Sequence, residues 1–236
     1  MLLLLAAAVI ASGLTIGMRS IGHGIAARNT DGITVTGSAQ IDVSADRAEW
    51  TMSVEETGPS FADAIAKVDA GIDAVTSFVT RGGIAPSAQA LGAVSASLDE
   101  ETVNGTRTGK ILGYRAHRAL SVSTTNLALV TSLSQGLGAV LRSGVNVSSS
   151  GPSFYVSNLA ELRPRLLEEA MTDAKARAIA LTQAVGGGIG SLRSARSGPV
   201  QVNARGSVQV ADGGIYDTST INKTVSTTVT VVFASD

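Results

Sequence analysis

The stretch Gly113-Tyr-Arg-Ala-His-Arg-Ala-Leu-Ser-Val-Ser123 decides the fold, together with the segments on either side of it. Leu112, Tyr114, Leu120 and Val122 fall on one face, and Arg115, His117, Ala119, Ser121 and Ser123 on the other. That alternation is the pattern of a half-buried strand, expected from about Lys110 to Thr124. Just upstream, Asn104-Gly105 marks a tight hairpin, because both central residues of a type I′ turn need positive φ. A preceding strand is therefore expected from Gln89 to Val103. Downstream, Thr125 or Asn126 can cap a helix with Leu127, Val130, Leu133, Leu137 and Leu141 on its inner face. Val145, Val147 and Phe154–Ser157 then form a further strand, broken by Ser148-Ser-Ser-Gly-Pro152.

Working outward towards the N-terminus, Ile33, Val35, Ile41 and Val43 alternate with Thr34, Thr36, Gln40 and Asp42. Ala48, Trp50, Met52 and Val54 alternate with Glu49, Thr51, Ser53 and Glu55 in the same way, which predicts two strands with one buried face each. Ser60, with Asp63 three residues later, caps a helix carrying Phe61, Ala64, Ile65, Val68, Ile72, Val75 and Val79 at helical spacing. Gly82-Gly83 stops it. From Ala48 to Ser157 the order is strand-helix-strand-strand-helix-strand. The expected class is α+β, with a ferredoxin-like core.

Towards the C-terminus, Leu166-Leu-Glu-Glu-Ala-Met-Thr-Asp-Ala-Lys-Ala-Arg-Ala178 is an Ala-rich helix, expected to begin near Pro164 because proline fits the first turn. Its seam reads Leu167, Met171, Ala174, Ala178, Leu181 and Val185. The seam either packs on the sheet or faces a neighbouring subunit. Gly186-Gly-Gly188 follows the helix and reads as its C-cap, without the helix N-terminal amides that would cradle phosphate. An apolar stretch from Ile189 to about Val202 and a strand from Ile221 to Phe233 complete the pattern. Asn203–Thr220 between them reads as a mobile loop.

The opening segment is of another kind. Leu2–Met18 holds no charge and as a helix would extend roughly 25 Å, the low edge of a bilayer span. Residues 1–19 thus read as a transmembrane anchor or as a removed secretory signal, with a buried globular helix as the remaining reading. Residues 20–32 read as a linker and residues 33–236 as the folded part. Arg19 and Arg28 alone would place that part in the cytoplasm by the positive-inside rule.

Composition narrows the function classes. Charged residues make up 16% and aromatics 3%, so the core is aliphatic, and a formal net charge of −1 without a basic tract argues against nucleic acid as a partner. Cysteine is absent, which removes thiolate metal sites, disulfides and a cysteine nucleophile.

Several segments, in order, resemble the SIMPL domain family of bacterial extracytoplasmic proteins. They are Val35-Thr-Gly37, Ala45-Asp-Arg-Ala48, the helix end at Gly83-Ile84, Gly113-Tyr-Arg-Ala116, Phe154-Tyr-Val-Ser-Asn158, and Glu169-Ala170 through Asp173-Ala-Lys-Ala-Arg-Ala178. The chain departs from the family pattern at Ala45, where a proline is usual. The resemblance implies an α+β domain secreted or anchored outside the cytoplasm, members that form large homo-oligomeric rings, and a role in envelope maintenance or stress tolerance. It implies no catalytic residues.

Candidate chemistry is sparse. His117 is the one histidine in the folded part, His23 lying in the linker. A Ser–His hydrolase would also need a carboxylate and an oxyanion hole, and there is no Gly-x-Ser-x-Gly elbow. A solvated strand histidine is the plainer reading. Arg118 falls on the apolar face, which calls for a bulge turning it to solvent or for an ion pair within the chain or across a subunit boundary. Asp99-Glu-Glu101 alternates in direction along a strand and reads as a solvated hairpin edge that discourages aggregation. Ser148–Gly151 lacks the lysine and helix of a phosphate loop.

The sequence therefore leads to a non-enzymatic, membrane-anchored or periplasmic protein that forms a homo-oligomeric ring or cage, with no cofactor, metal or catalytic residues. The alternatives are an envelope hydrolase using His117, and a small-ligand binding module with the 203–220 loop as a lid.

Overall fold

The computed structural model describes residues 32–207 and 209–235. The 1–19 anchor or signal segment and most of the linker lie outside the described residues. The order is β1 (Gly32–Ser44), β2 (Arg47–Gly58), α1 (Phe61–Arg81), a short 3-10 turn (Pro86–Ala88), β3 (Gln89–Leu91), β4 (Ser95–Val103), β5 (Thr106–Thr124), α2 (Leu127–Gly136), α3 (Gly138–Arg142), β6 (Val147–Ser148), β7 (Ser153–Tyr155), α4 (Leu159–Gln183), β8 (Ile189–Ser197), β9 (Gln201–Ala204) and β10 (Asn222–Ser235). The α+β class stands. No helix of the described residues is long and apolar enough to cross a membrane.

The residues fall into two compact units, the larger made of 40–166 and 199–226. Its main sheet places β3 and β4 beside β5, β5 beside β2, and β2 beside β6 and β7, and each of these pairs is antiparallel. One face is apolar, as the alternation predicts: Ala48, Trp50, Met52 and Val54 of β2 and Ala116, Leu120 and Val122 of β5 are buried. α1 lies on that face through Ala64, Val68, Ile72, Val75 and Val79. Each of these Val, Leu, Ile and Met side chains contributes roughly 1.5–3 kcal/mol on leaving water.

The local signals behave as physical chemistry requires. Ser60 accepts the Asp63 N–H at 3.1 Å, and Asn126 accepts the Leu129 N–H at 3.0 Å, so both helices open on a side-chain cap. Asn104 (φ 51°) and Gly105 (φ 80°) both adopt positive φ between β4 and β5, as a two-residue primed turn demands. The expected strand from Gln89 to Val103 is interrupted at residues 92–94, giving β3 and β4, and Gly92 N–H bonds the Ala119 carbonyl across the gap. The helix after Asn126 also differs from expectation. It breaks at Leu137, so Val140 takes the buried position and Leu141 is half exposed.

The smaller unit comprises residues 32–39, 167–198 and 227–235. Val35 of β1, Val229, Val231 and Phe233 of β10, and Ala170, Ala174 and Ala178 of α4 form its core. Here two expectations are corrected. α4 begins at Leu159, so Pro164 lies inside the helix. The buried seam in this unit is Ala170, Ala174, Ala178 and Thr182, with Leu181 and Val185 exposed. Gly37 explains the choice: a Cβ there would lie 2.1 Å from the Ala170 carbonyl oxygen and 2.4 Å from the Ala174 nitrogen. Backbone meets backbone at that point, and only alanines on the facing helix permit it. The seam packs on the sheet.

Candidate functional site

The solvent face of the large sheet carries the residues that alternation assigned to it. Cross-strand pairing sets Ser95 of β4 opposite His117 of β5, and His117 opposite Glu55 of β2. Directly paired residues share a face, so serine, imidazole and carboxylate form one row. His117 is exposed. Its ring makes no hydrogen bond among the described residues, and Glu55 Oε1 instead accepts Arg115 Nη1–H at 2.9 Å. Arg115 also reaches Asp99 at 3.4 Å. Further along this face, Glu49, Thr51, Gln89, Ser121 and Ser123 line an open polar depression of about 460 Å³.

The other flagged residues are accounted for by their neighbours. Arg118 forms an ion pair within the chain, donating to Asp69 Oδ1 at 3.0 Å and to the Gly92 carbonyl at 2.8 Å, and the bulge reading falls. Glu101 pairs with Lys110 at 2.9 Å, and Glu100 accepts the Gly109 N–H at 2.7 Å. Among the described residues no group of three or more His, Asp or Glu side chains gathers into a metal-holding cluster. Gly186 (φ 79°) ends α4, where the Gly187 N–H bonds the Thr182 carbonyl at 2.9 Å, so this is the expected C-cap. In the serine-rich break, Ser149 Oγ accepts the indole N–H of buried Trp50 at 2.6 Å.

The sequence reading missed a polar clasp. Gln201, Asn203 and Lys223 are buried, Lys223 completely. The Lys223 ammonium donates to the Asp217 carbonyl at 2.6 Å and to its carboxylate at 2.8 Å. Gln201 binds the Ala211 carbonyl and the Ile215 N–H, and Asn203 binds the Gln209 carbonyl. Tyr216 Oη accepts the Val156 N–H at 2.8 Å. Among its described residues the 203–220 segment is therefore tied down at Gln209, Ala211, Ile215, Tyr216 and Asp217, and the mobile-loop expectation is corrected. The Lys223 hydrogen bond, with help from Ser219, holds the Asp217 carboxyl below the usual carboxylate range. A signal was available: Lys223 shares the apolar parity of Val225, Val229 and Val231.

The segments that carry the family resemblance bind one another. Asp46 accepts the Ser157 N–H at 2.9 Å and the Ser157 hydroxyl at its second oxygen. These bonds lower the Asp46 pKa. The Ser38 N–H, next to Gly37, donates to Asp173 Oδ2 at 2.8 Å, and Arg177 pairs with the same carboxylate at 2.9 Å. The Asp173 pKa is lowered, first by the Ser38 N–H and then by Arg177.

Comparison with known proteins agrees with this distribution of motifs. The SIMPL family, described as "Protein of unknown function (DUF541)", matches residues 33–233, and the chain belongs to that family. No curated protein matches. Among solved structures, the chain is similar to an amidase of the hydantoinase/carbamoylase family from Burkholderia phymatum. That match has 14% identity and a TM-score of 0.28, and covers 56% of this chain and 33% of that one. It is also similar to a putative aminohydrolase from methicillin-resistant Staphylococcus aureus, at 15% identity, TM-score 0.26, and 59% and 37% coverage. CutA from Synechococcus elongatus matches at 15% identity, TM-score 0.17, and 55% and 96% coverage. The chain thus spans about a third of the length of the two hydrolases.

Proposed function

We propose that this SIMPL protein is non-enzymatic, is anchored in a membrane by its N-terminal segment or carried into the periplasm, and assembles into a homo-oligomeric ring or cage that serves envelope maintenance or stress tolerance. We read the large sheet as ferredoxin-like, with strand order β4-β5-β2-β7 and helices following β2 and β5. The observation that carries the reading is the hairpin of β4 and β5. β2 pairs with β5 only from Tyr114 onward, so residues 106–113 have β4 as their one strand partner among the described residues. This arm leaves Leu98, Val103, Ile111 and Leu112 about half exposed, at 52–58%. A two-stranded arm is marginal in water by itself, and apolar residues along it favour a protein partner. Anchoring many copies on one membrane patch would add avidity for whatever the assembly holds.

Light scattering on the detergent-solubilised full chain tests this. A discrete multimer at micromolar concentration is the expected result, and a single-chain mass removes the proposal.

The Ser95–His117–Glu55 row favours a second reading, an envelope hydrolase with His117 as its base. Should a hydrolytic activity be found, His117→Ala would lower it at least a hundredfold under this reading. Unchanged activity would eliminate it.

A further inference from the structure

Two strands of equal length leave a sheet edge open, and their charges are opposite. β4, nine residues long, carries Asp99, Glu100 and Glu101 and no base. β8, also nine residues, carries Arg193 and Arg196 and no acid. Among the described residues each has one strand neighbour, β5 and β10 respectively, so the far edge of each presents unpaired backbone N–H and C=O groups. Ser191–Ser197 of β8 is exposed throughout, and so are Ser95–Leu98, Thr102 and Val103 of β4. Arg193 and Arg196 form no ion pair among the described residues. β1, another strand at the rim of its sheet, has Asp42 as its one charge, which Arg205 and Thr224 already hold.

We infer that β4 of one copy docks edge to edge against β8 of a second copy. This rests on the self-assembly proposed above and names the surfaces that would make it. The charges select the pairing: β4 against β4 would align carboxylates, β8 against β8 would align guanidiniums, and only the unlike edges attract. The same acids that keep like edges apart, as expected of a solvated hairpin edge, therefore specify the unlike contact. Nine residues in register extend about 30 Å of backbone pairing. Leu98 and Leu192, 52% and 50% exposed, add apolar area. Two acids of β4 face bases on their own hairpin only loosely, Glu100 at 4.0 Å from Arg107 and Asp99 through an Arg115 that it shares with Glu55, whereas Glu101 is paired with Lys110 at 2.9 Å. Exposed pairs of this kind hold little energy, and an incoming guanidinium can replace them with a bidentate contact. Because the two surfaces differ, the contact is heterologous. Each copy offers one of each, so association propagates into a closed ring or an open filament instead of stopping at a two-fold dimer.

A charge exchange on the full chain in detergent tests this by light scattering. Arg193→Glu/Arg196→Glu gives two acidic edges, and Glu100→Lys/Glu101→Lys gives two basic ones. Each variant alone should need at least tenfold more protein to assemble than the natural chain, and an equimolar mixture should recover the natural mass. Assembly of either variant alone at the natural concentration overturns the contact, as does a mixture that fails to recover; both leave self-assembly itself standing. A natural chain that never assembles removes the earlier proposal instead. If a variant loses the natural circular dichroism, a salt series on the unmodified chain decides. Assembly as tight at about 1 M as at about 0.1 M salt, where the screening length falls from ~10 to ~3 Å, overturns the contact.

Discussion

Asp46 and Ser157, 111 residues apart in the chain, are joined by two hydrogen bonds, from the serine N–H to one carboxylate oxygen and from its hydroxyl to the other. The contact fastens the turn between β1 and β2 to the turn before α4. The Asp46 N–H strengthens it by donating to the Tyr155 carbonyl at 2.9 Å. Hydrogen bonds to a charged group contribute about 1.5–3 kcal/mol when shielded, and the exposure of Asp46 reduces this. Asp46→Ala should therefore cost on the order of 1–2 kcal/mol in urea unfolding, and Ser157→Ala somewhat less because its backbone N–H remains. In a double-mutant cycle the two changes should fall short of additive, since they remove the same contact.

Gly37→Ala should be among the most damaging single substitutions in the smaller unit. The added methyl would sit well inside contact distance of the Ala170 oxygen and the Ala174 nitrogen, both backbone atoms that cannot swing aside. Overpacking of this kind costs about 1–3 kcal/mol or more. Gly105→Ala, whose Cβ would meet no atom within 4 Å, is the informative comparison. Its cost comes from positive φ alone and should be about 1 kcal/mol. Reversal of that order in thermal denaturation would show that α4 does not approach β1 this closely.

The parts of the fold that alternation and capping encode were legible from residues alone. β2 reads correctly because every second residue from Ala48 to Val54 is apolar, and α1 because Ser60 caps it and its apolar residues keep one stripe. The seam of α4 was not legible. Two overlapping stripes of Ala and Leu compete there, and the choice depends on Gly37, more than 130 positions away. The loop after β9 was misread for another reason. Gln201, Asn203 and Lys223 anchor it by side-chain bonds to backbone, which leave no periodic trace. The Ser95–His117–Glu55 row needed strand register, and Glu55 was visible beforehand only as one outward residue among several.

The clasp at Lys223 predicts an asymmetry between two substitutions. Asp217→Ala leaves a fully buried ammonium with only the carbonyl of residue 217, and breaking a buried pair in this way costs about 3–5 kcal/mol. Lys223→Met keeps the buried stem and removes the charge, while Asp217 retains Ser219 and Thr220 as donors. It should cost less than half as much by chemical denaturation. Amide exchange along residues 209–217 should quicken in the first variant more than in the second.

Stability should fall with acid, and the direction follows from four carboxylates. Asp42, Asp46, Asp173 and Asp217 each have a lowered pKa in the folded protein, caused first by the Thr224 hydroxyl, the Ser157 hydroxyl, the Ser38 N–H and the Lys223 ammonium respectively. In the unfolded chain an aspartate titrates near 3.9, so below that pH the unfolded state binds more protons than the folded one. The contribution of these groups is thus complete above about pH 5 and is lost as pH drops through their folded values. Urea midpoints should stay level from about pH 5 to 7 and fall below about pH 4. Replacing Asp46 and Asp217 with Asn should flatten that acid limb while lowering the plateau. An acid limb of unchanged steepness in the double variant would mean that other groups carry the linkage.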